Sequence, residues 1–252
     1  MPKITIGKNT YIGPDKFDQL TSKQLLHFCA LSVKGKTRRE ILRALSYRLT
    51  GAPAYVYFKM NELQRIQLED TYDWIFQDIT TRTNKIPCFK HSGVIYYGYG
   101  NNLENITVKE WMVADAAAQR YQKNKNDADL NTFLAATYRP QRSDGKNYGD
   151  IREPFEEEKC KAREPLFSSI PAPLKMAIFI NYAGVRAETV KDFPNVFKGA
   201  GAGKNFGMPG MVHDMAGPEL GTVKEIEEQW MIRNLFFIAE KNEIRRMEAK
   251  AS

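Results

Sequence analysis

The sequence predicts a mainly α, multi-helix protein in two lobes, with minor β-structure at the N-terminus and around residues 94–99. Three observations carry this. A helix-opening pattern is written four times, as Thr21-x-x-Gln24, Thr37-x-x-Glu40, Thr107-x-x-Glu110 and Thr222-x-x-Glu225. In each, the threonine hydroxyl is placed to accept from a first-turn amide, while the Glu or Gln reaches back to the cap amide. Each signal is followed by apolar residues at helical spacing. Between the helical stretches, glycines and prolines surround short β-branched and aromatic runs.

Taken in order, Ile4–Ile12 alternates loosely and ends in Gly13-Pro14, which predicts a short strand and a turn. After Thr21, the residues Leu25, Leu26, Cys29, Ala30 and Val33 line one helix face, and Lys34-Gly35-Lys36 breaks it. Thr37 opens a second helix with the stripe Ile41, Leu42, Leu45 and Leu49, stopped by Gly51-Ala52-Pro53. A third is expected from about Asn61 to Thr80, burying Leu63, Ile66, Trp74, Ile75 and Ile79. Val94-Ile95-Tyr96-Tyr97, among Pro87, Gly93, Gly98 and Gly100, reads as a strand or short hairpin and marks the boundary between lobes 1–90 and 91–252.

In the second lobe, Trp111, Ala114, Ala117, Ala118 and Tyr121 line the helix opened by Thr107. Asn126 or Asp127 caps the next, with Leu130, Phe133, Leu134 and Tyr138 inward and Pro140 at its end. Gln141–Asp150 is a polar loop, and a buried helix over Leu174–Tyr182 stops near Gly184. Gly199–Gly210, with five glycines, reads as a mobile loop. The last helix opens at Thr222 and runs into the charged tail, with Ile226, Trp230, Leu235, Ile238 and Ala239 inward.

The composition of this 252-residue chain, 42% hydrophobic and 12% aromatic, is that of a protein with a sizeable core. No apolar run approaches the roughly eighteen residues of a membrane span, and the start lacks a secretory h-region. Three scattered cysteines, Cys29, Cys88 and Cys160, argue against a disulfide framework. Residues 1–90 hold 15 Lys and Arg against 8 Asp and Glu, whereas the rest holds 22 of each. All of the net +7 therefore lies in the first third.

Motifs for chemistry do not survive close reading. Gly199–Asn205 lacks the spacing and the Ser or Thr of a phosphate-binding loop, and the third glycine of a dinucleotide motif. Adjacent Glu156, Glu157 and Glu158 would point in different directions on a helix. Cys160 with His91 or His213 sits in no nucleophile signature, and Cys88-x-x-His91 beside His27-Phe28-Cys29 makes a poor zinc pattern. We therefore expect no enzyme, with no catalytic, cofactor-binding or metal residues. The pair of helices over residues 21–50 has helix-turn-helix proportions, and Lys34, Lys36, Arg38, Arg39, Arg43 and Arg48 could meet phosphates. These six are the candidate nucleic-acid or partner contacts, although long basic side chains also cover solvent faces of ordinary helices.

One further pattern spans most of the chain. It comprises Ile106–Trp111 with Ala114, Asp115 and Tyr121, then Asn126–Asn131, Leu134–Pro140, Asp150–Phe155, Asn181–Gly184 and Phe193–Phe197. This succession resembles helical structural and tail-assembly proteins of tailed bacteriophages and prophage elements. The resemblance implies a connector, tail-completion or ring subunit, in the virion or the host cytoplasm. It implies partners among other phage structural proteins, an oligomeric ring or particle, no membrane and no catalytic residues. DNA binding through residues 21–50 is the alternative.

Overall fold

The computed structural model describes residues 3–6, 8–77, 79–144, 149–198 and 207–251. The fold is mainly α with minor antiparallel β. Among the described residues no helix is long and apolar enough to cross a membrane. The chain divides into two compact units, one of residues 1–86 with 171–185, the other of 87–170 with 186–252. The composition shift puts the division at 90/91, but 171–185 groups with the first unit.

The first unit opens with a hairpin, β1 (Lys3–Ile6) and β2 (Asn9–Ile12), where the sequence suggests only one strand and a turn. Helices α1 (Ser22–Val33) and α2 (Arg38–Thr50) start where predicted, each with both halves of its capping box formed. Gly51 ends α2 at φ 67°, a left-handed cap that glycine adopts at little cost. Two short helices follow, α3 (Ala54–Lys59) and α4 (Glu62–Thr71). The expected helix over 61–80 thus stops at Thr71, and a 3₁₀ turn takes Asp73–Phe76. Leu63 is exposed and Ile66, Trp74 and Ile79 are half-buried; of the predicted inward set only Ile75 is buried. Tyr72 caps α4 and starts the 3₁₀ turn, so the apolar residues on either side of it do not share one helix face. Asn61 and Gln64 form another complete capping box.

α8 (Ala172–Asp192) runs straight through Gly184, where a stop is expected. A Cβ at Gly184 would lie 3.0 Å from Thr81 Cγ2 and 3.3 Å from the Ile79 carbonyl, so the glycine admits a crossing segment. That segment is bonded on: buried Asn181 accepts from the Lys85 amide at 2.9 Å and donates to the Thr83 carbonyl at 3.0 Å. These bonds explain why 171–185 belongs with the first unit.

In the second unit, where the sequence allows a strand or a short hairpin, β3 (Cys88–His91) and β4 (Val94–Tyr97) form a hairpin around Ser92-Gly93, both at positive φ as a two-residue turn requires. A third strand, β5 (Arg139–Pro140), pairs with β4. α5 (Val108–Asn124) and α6 (Asp127–Thr137) bury the residues predicted for them, and Asn126 caps α6. α7 (Glu157–Phe167) begins at the Glu156–Glu158 run, a solvated helix start. α9 (Pro194–Lys198) and α10 (Gly207–Met215) follow, so residues 207–210 of the expected glycine loop are helical, while 199–206 lie outside the described residues. The single last helix is two, α11 (Val223–Gln229) and α12 (Ile232–Ala251). At the break, Val108 donates to the Trp230 carbonyl and Ile232 to the Ile106 carbonyl, both at 2.9 Å. Trp230 is half-buried rather than inward for the same reason.

Thr107 departs from the capping-box prediction. Its hydroxyl accepts from Glu110 N, but the Glu110 carboxylate does not return to the cap. Instead, fully buried Glu110 accepts from Arg139 at 2.7 Å and Arg152 at 2.8 Å. Arg152 also donates to the Thr137 and Asn105 carbonyls and clamps Asp150, while Arg163 holds Glu153 and the Ala135 carbonyl. Burial pushes the Arg139 guanidinium below its ordinary pKa against the pull of Glu110, whereas in Arg152 the attraction of Glu110 and Asp150 outweighs burial and raises it.

Two outcomes follow for urea unfolding. Glu110→Gln destabilises the chain by about 3–5 kcal/mol, because it leaves two buried guanidiniums short of a counter-charge. Thr222→Ala, which removes a complete box, costs about 0.5–2 kcal/mol, with Thr107→Ala at the lower end of the same range. Equal losses for Glu110→Gln and Thr222→Ala would contradict the assignment of Glu110 to the buried network.

Candidate functional site

The six basic candidates sit in the first unit, on or just before α2. Their free charge is smaller than their number. Lys36 pairs with Glu40 at 2.8 Å. Arg38 makes a two-bonded pair with Asp73 and lies over the Phe76 ring at 5.1 Å. Arg43 lies 3.7 Å from the buried Glu69 carboxylate, which also accepts from Tyr57. Arg48 reaches His27 at 3.2 Å and Tyr47 at 3.0 Å. Burial first, then the charges of Arg48 and Lys34, lowers the His27 pKa. Lys34 and Arg39 are exposed, with no ion-pair partner among the described residues. The structure places four of the six on α2 and two on the turn before it, and commits four of them to neighbours.

A larger feature lies in the second unit, and the sequence reading passed over it. A groove of about 1100 Å³ runs between α10 and α12 over a floor of Trp111 from α5 and Val196 and Phe197 from α9. Met208, Met211 and Met215 recur at i, i+3 and i+7 on α10, a spacing that sets them on one face. Val212, four residues from Met208 and three from Met215, is buried beside that face. From α12 come Phe237 and Ile238. Glu240 fixes α9 against α12 by accepting from the Asn195 and Val196 amides, both at 3.0 Å. Arg186 is held on Asp115, which also accepts from Gln119 at 2.5 Å.

The chemistry of the groove is that of an apolar trough with charged banks. Unbranched thioethers adapt to differently shaped apolar partners. The buried Trp111 Nε1–H has no acceptor among the described residues. Lys241, over the Phe237 ring at 4.3 Å, gives one bank positive charge, while exposed Asp214 and Glu219 give the other negative charge. The sequence signal that would have found it is the methionine spacing, hidden by reading 199–210 as one loop.

The other motifs resolve into structure. The buried Cys160 thiol is pushed up to about 11, chiefly by burial, and points to the Thr132 carbonyl rather than to a histidine. His91 Nε2 lies 3.1 Å from the Leu166 carbonyl and 3.2 Å from Ser169 Oγ, at the end of α7. Gly199–Asn205 lies outside the described residues. Compared with known proteins, the chain matches no family model, no curated protein and no solved structure.

Duplex-DNA binding measured against salt tests the basic helix. With Lys34 and Arg39 as its uncommitted cations, the slope of log K on log salt stays no steeper than about −2, and replacing both with Gln removes it. A slope near −5 would mean that Arg38, Arg43 and Arg48 leave their partners. Acid gives a second readout. The Lys36 and Thr37 hydrogen bonds hold the Glu40 carboxyl at about 2, below the ordinary 4.5. A carboxyl with a depressed folded-state pKa stabilises above its unfolded value, so the α2 cap contribution is whole above pH 4.5 and is lost as pH falls towards about 2. Residue-resolved NMR titration of the Thr37 and Glu40 amides checks this.

Proposed function

We propose that this protein is a virion structural or tail-assembly component of a tailed bacteriophage, a connector, tail-completion or ring subunit, acting through protein–protein contacts. The observation that carries the mode of action is the methionine-lined groove with its unanswered Trp111 donor. An open apolar trough with charged banks suits a helix laid into it, a common mode of protein recognition. The assignment to phage particles rests on the resemblance. Its segments Ile106–Trp111, Leu134–Pro140 and Asp150–Phe155 supply Glu110, Arg139, Asp150 and Arg152 of one buried network.

DNA binding through residues 21–50 remains the second reading, favoured by exposed Lys34 and Arg39 and by the charge excess of the first third. Four engaged cations out of six make it the weaker.

The test is mass spectrometry of purified particles, joined to hydrogen exchange over 208–215 and 237–247. The chain is expected in particles or bound to an assembly intermediate, with new protection at both segments. Met211→Asp should weaken that association by about 2 kcal/mol or more, roughly thirtyfold. Particle morphology and infectivity unchanged after gene deletion would overturn the assembly reading.

A further inference from the structure

We infer that the first unit carries a platform for unpaired nucleic acid, made of Tyr55 and Phe58 on α3 with cations set around them. It lies apart from the groove and does not depend on the particle reading. It differs from a duplex contact on α2 both in surface and in ligand. Phe58, Leu63 and Tyr55 are the three most exposed large apolar side chains among the described residues, at 67%, 64% and 59%. All three fall within residues 55–63. Two are aromatic, and their i, i+3 spacing on α3 puts both rings on one side of the helix. Val56 and Tyr57, on the other side, are buried and seat α3 in the unit. Tyr57 is anchored further: its hydroxyl donates to buried Glu69 at 3.1 Å, and its ring meets Phe58 at 5.7 Å and Tyr47 at 5.6 Å.

Cations lie over these rings one by one. Lys59 Nζ stands 5.7 Å from the Tyr55 centroid, the Arg65 guanidinium 5.8 Å from Tyr57, and that of Arg48 5.7 Å from Tyr47. Neutral groups orient the two arginines: Arg65 donates to the Met60 carbonyl and Arg48 to the Tyr47 hydroxyl. Such partners fix a charge without cancelling it. From Ile41 to Asn61 the chain holds Arg43, Arg48 and Lys59 and no Asp or Glu. Of these, Arg43 faces a carboxylate, that of Glu69.

Exposed rings interleaved with cations match a polyanion that also offers flat apolar faces. Phosphates answer the charges, and bases stack on the rings whatever their sequence, since every base has a π-face. A duplex cannot use the rings, because its bases are stacked on one another and show only their edges in the grooves. A strand with unpaired bases can. An anionic membrane would answer the charges as well, but a helix that seats in a lipid interface lays an extended apolar face along it. α3 has six residues, about 9 Å of helix, and its other side is already buried in the unit.

Fluorescence anisotropy of the full chain with a labelled oligothymidylate, and with a duplex of equal length, tests this at low salt. The single strand is expected to bind at least about tenfold more tightly than the duplex. Tyr55→Leu with Phe58→Leu keeps apolar side chains at exposed positions but removes the rings. It weakens strand binding at least about tenfold and leaves the salt dependence unchanged. Lys59→Gln, a second variant that leaves the rings in place, flattens the slope of log K on log salt by about 0.7. No strand binding at low salt, equal affinity for the duplex, or a ring variant that binds like wild type overturns the platform. So does binding that Lys34→Gln with Arg39→Gln abolishes and the ring variant keeps, which places the strand on α2. Flotation with phosphatidylserine vesicles supplies the last arm: attachment to vesicles without strand binding assigns the patch to a membrane surface and also overturns it. None of these results bears on incorporation into particles.

Discussion

Glu110 organises the second unit because a carboxylate with no exposure must be matched by charges brought from elsewhere in the chain. Arg139 comes from the strand that ends α6, and Arg152 from the far side of a polar loop. Arg152 then donates to the Asn105 and Thr137 carbonyls and Arg139 to that of Glu153. One side chain thereby fixes the start of α5, the end of α6, β5 and the return of the loop through Asp150. Buried charge is a costly way to build a core, and well-packed apolar residues would often serve as well for stability. It does give specificity: a shifted register would leave a full charge unpaired.

The network frees the outer helices from holding the unit together. With α5, α6 and β5 locked, α9 and α10 can line a trough instead of closing a core, and Glu240 ties the α9 amides to α12. The groove keeps a methionine face and an unanswered indole N–H in consequence. The first unit handles charge in the opposite way. Its basic residues are met one by one by exposed Glu40, half-buried Asp73 and buried Glu69, and these pairs lower the field available to a polyanion.

Helix starts were legible wherever the signal is local. Thr21, Thr37, Asn126 and Thr222 cap the helices they precede, and Gly51 stops α2, since a cap needs only three or four neighbouring residues. Legibility failed where a distant group competed. Glu110 has the sequence of a box residue and is taken by two arginines; Gly184 has the sequence of a stop and is a crossing point instead. Trp230 and Met231 look helical, yet they break the last helix to meet Ile106 and Thr107. Of the candidate site, the six basic residues were visible as a cluster, but their partners Asp73, Glu69 and His27 were not. The groove was invisible, because its floor and its banks come from residues as far apart as Trp111, Met211 and Ile238.

By itself, then, the sequence determined a mainly α chain, the first turn of those helices that open with a local cap, a strand or short hairpin around residues 94–99 and the placing of the excess charge in the first third. These depend on periodicity, capping and composition, which act over a turn or a short run of residues. Only the tertiary structure decided that 171–185 belongs with the first unit, that Glu110 leaves its cap for Arg139 and Arg152, and that α10 and α12 face one another across an open trough. Those outcomes turn on which buried polar groups find partners across long stretches of chain, and a one-dimensional pattern carries no record of that competition.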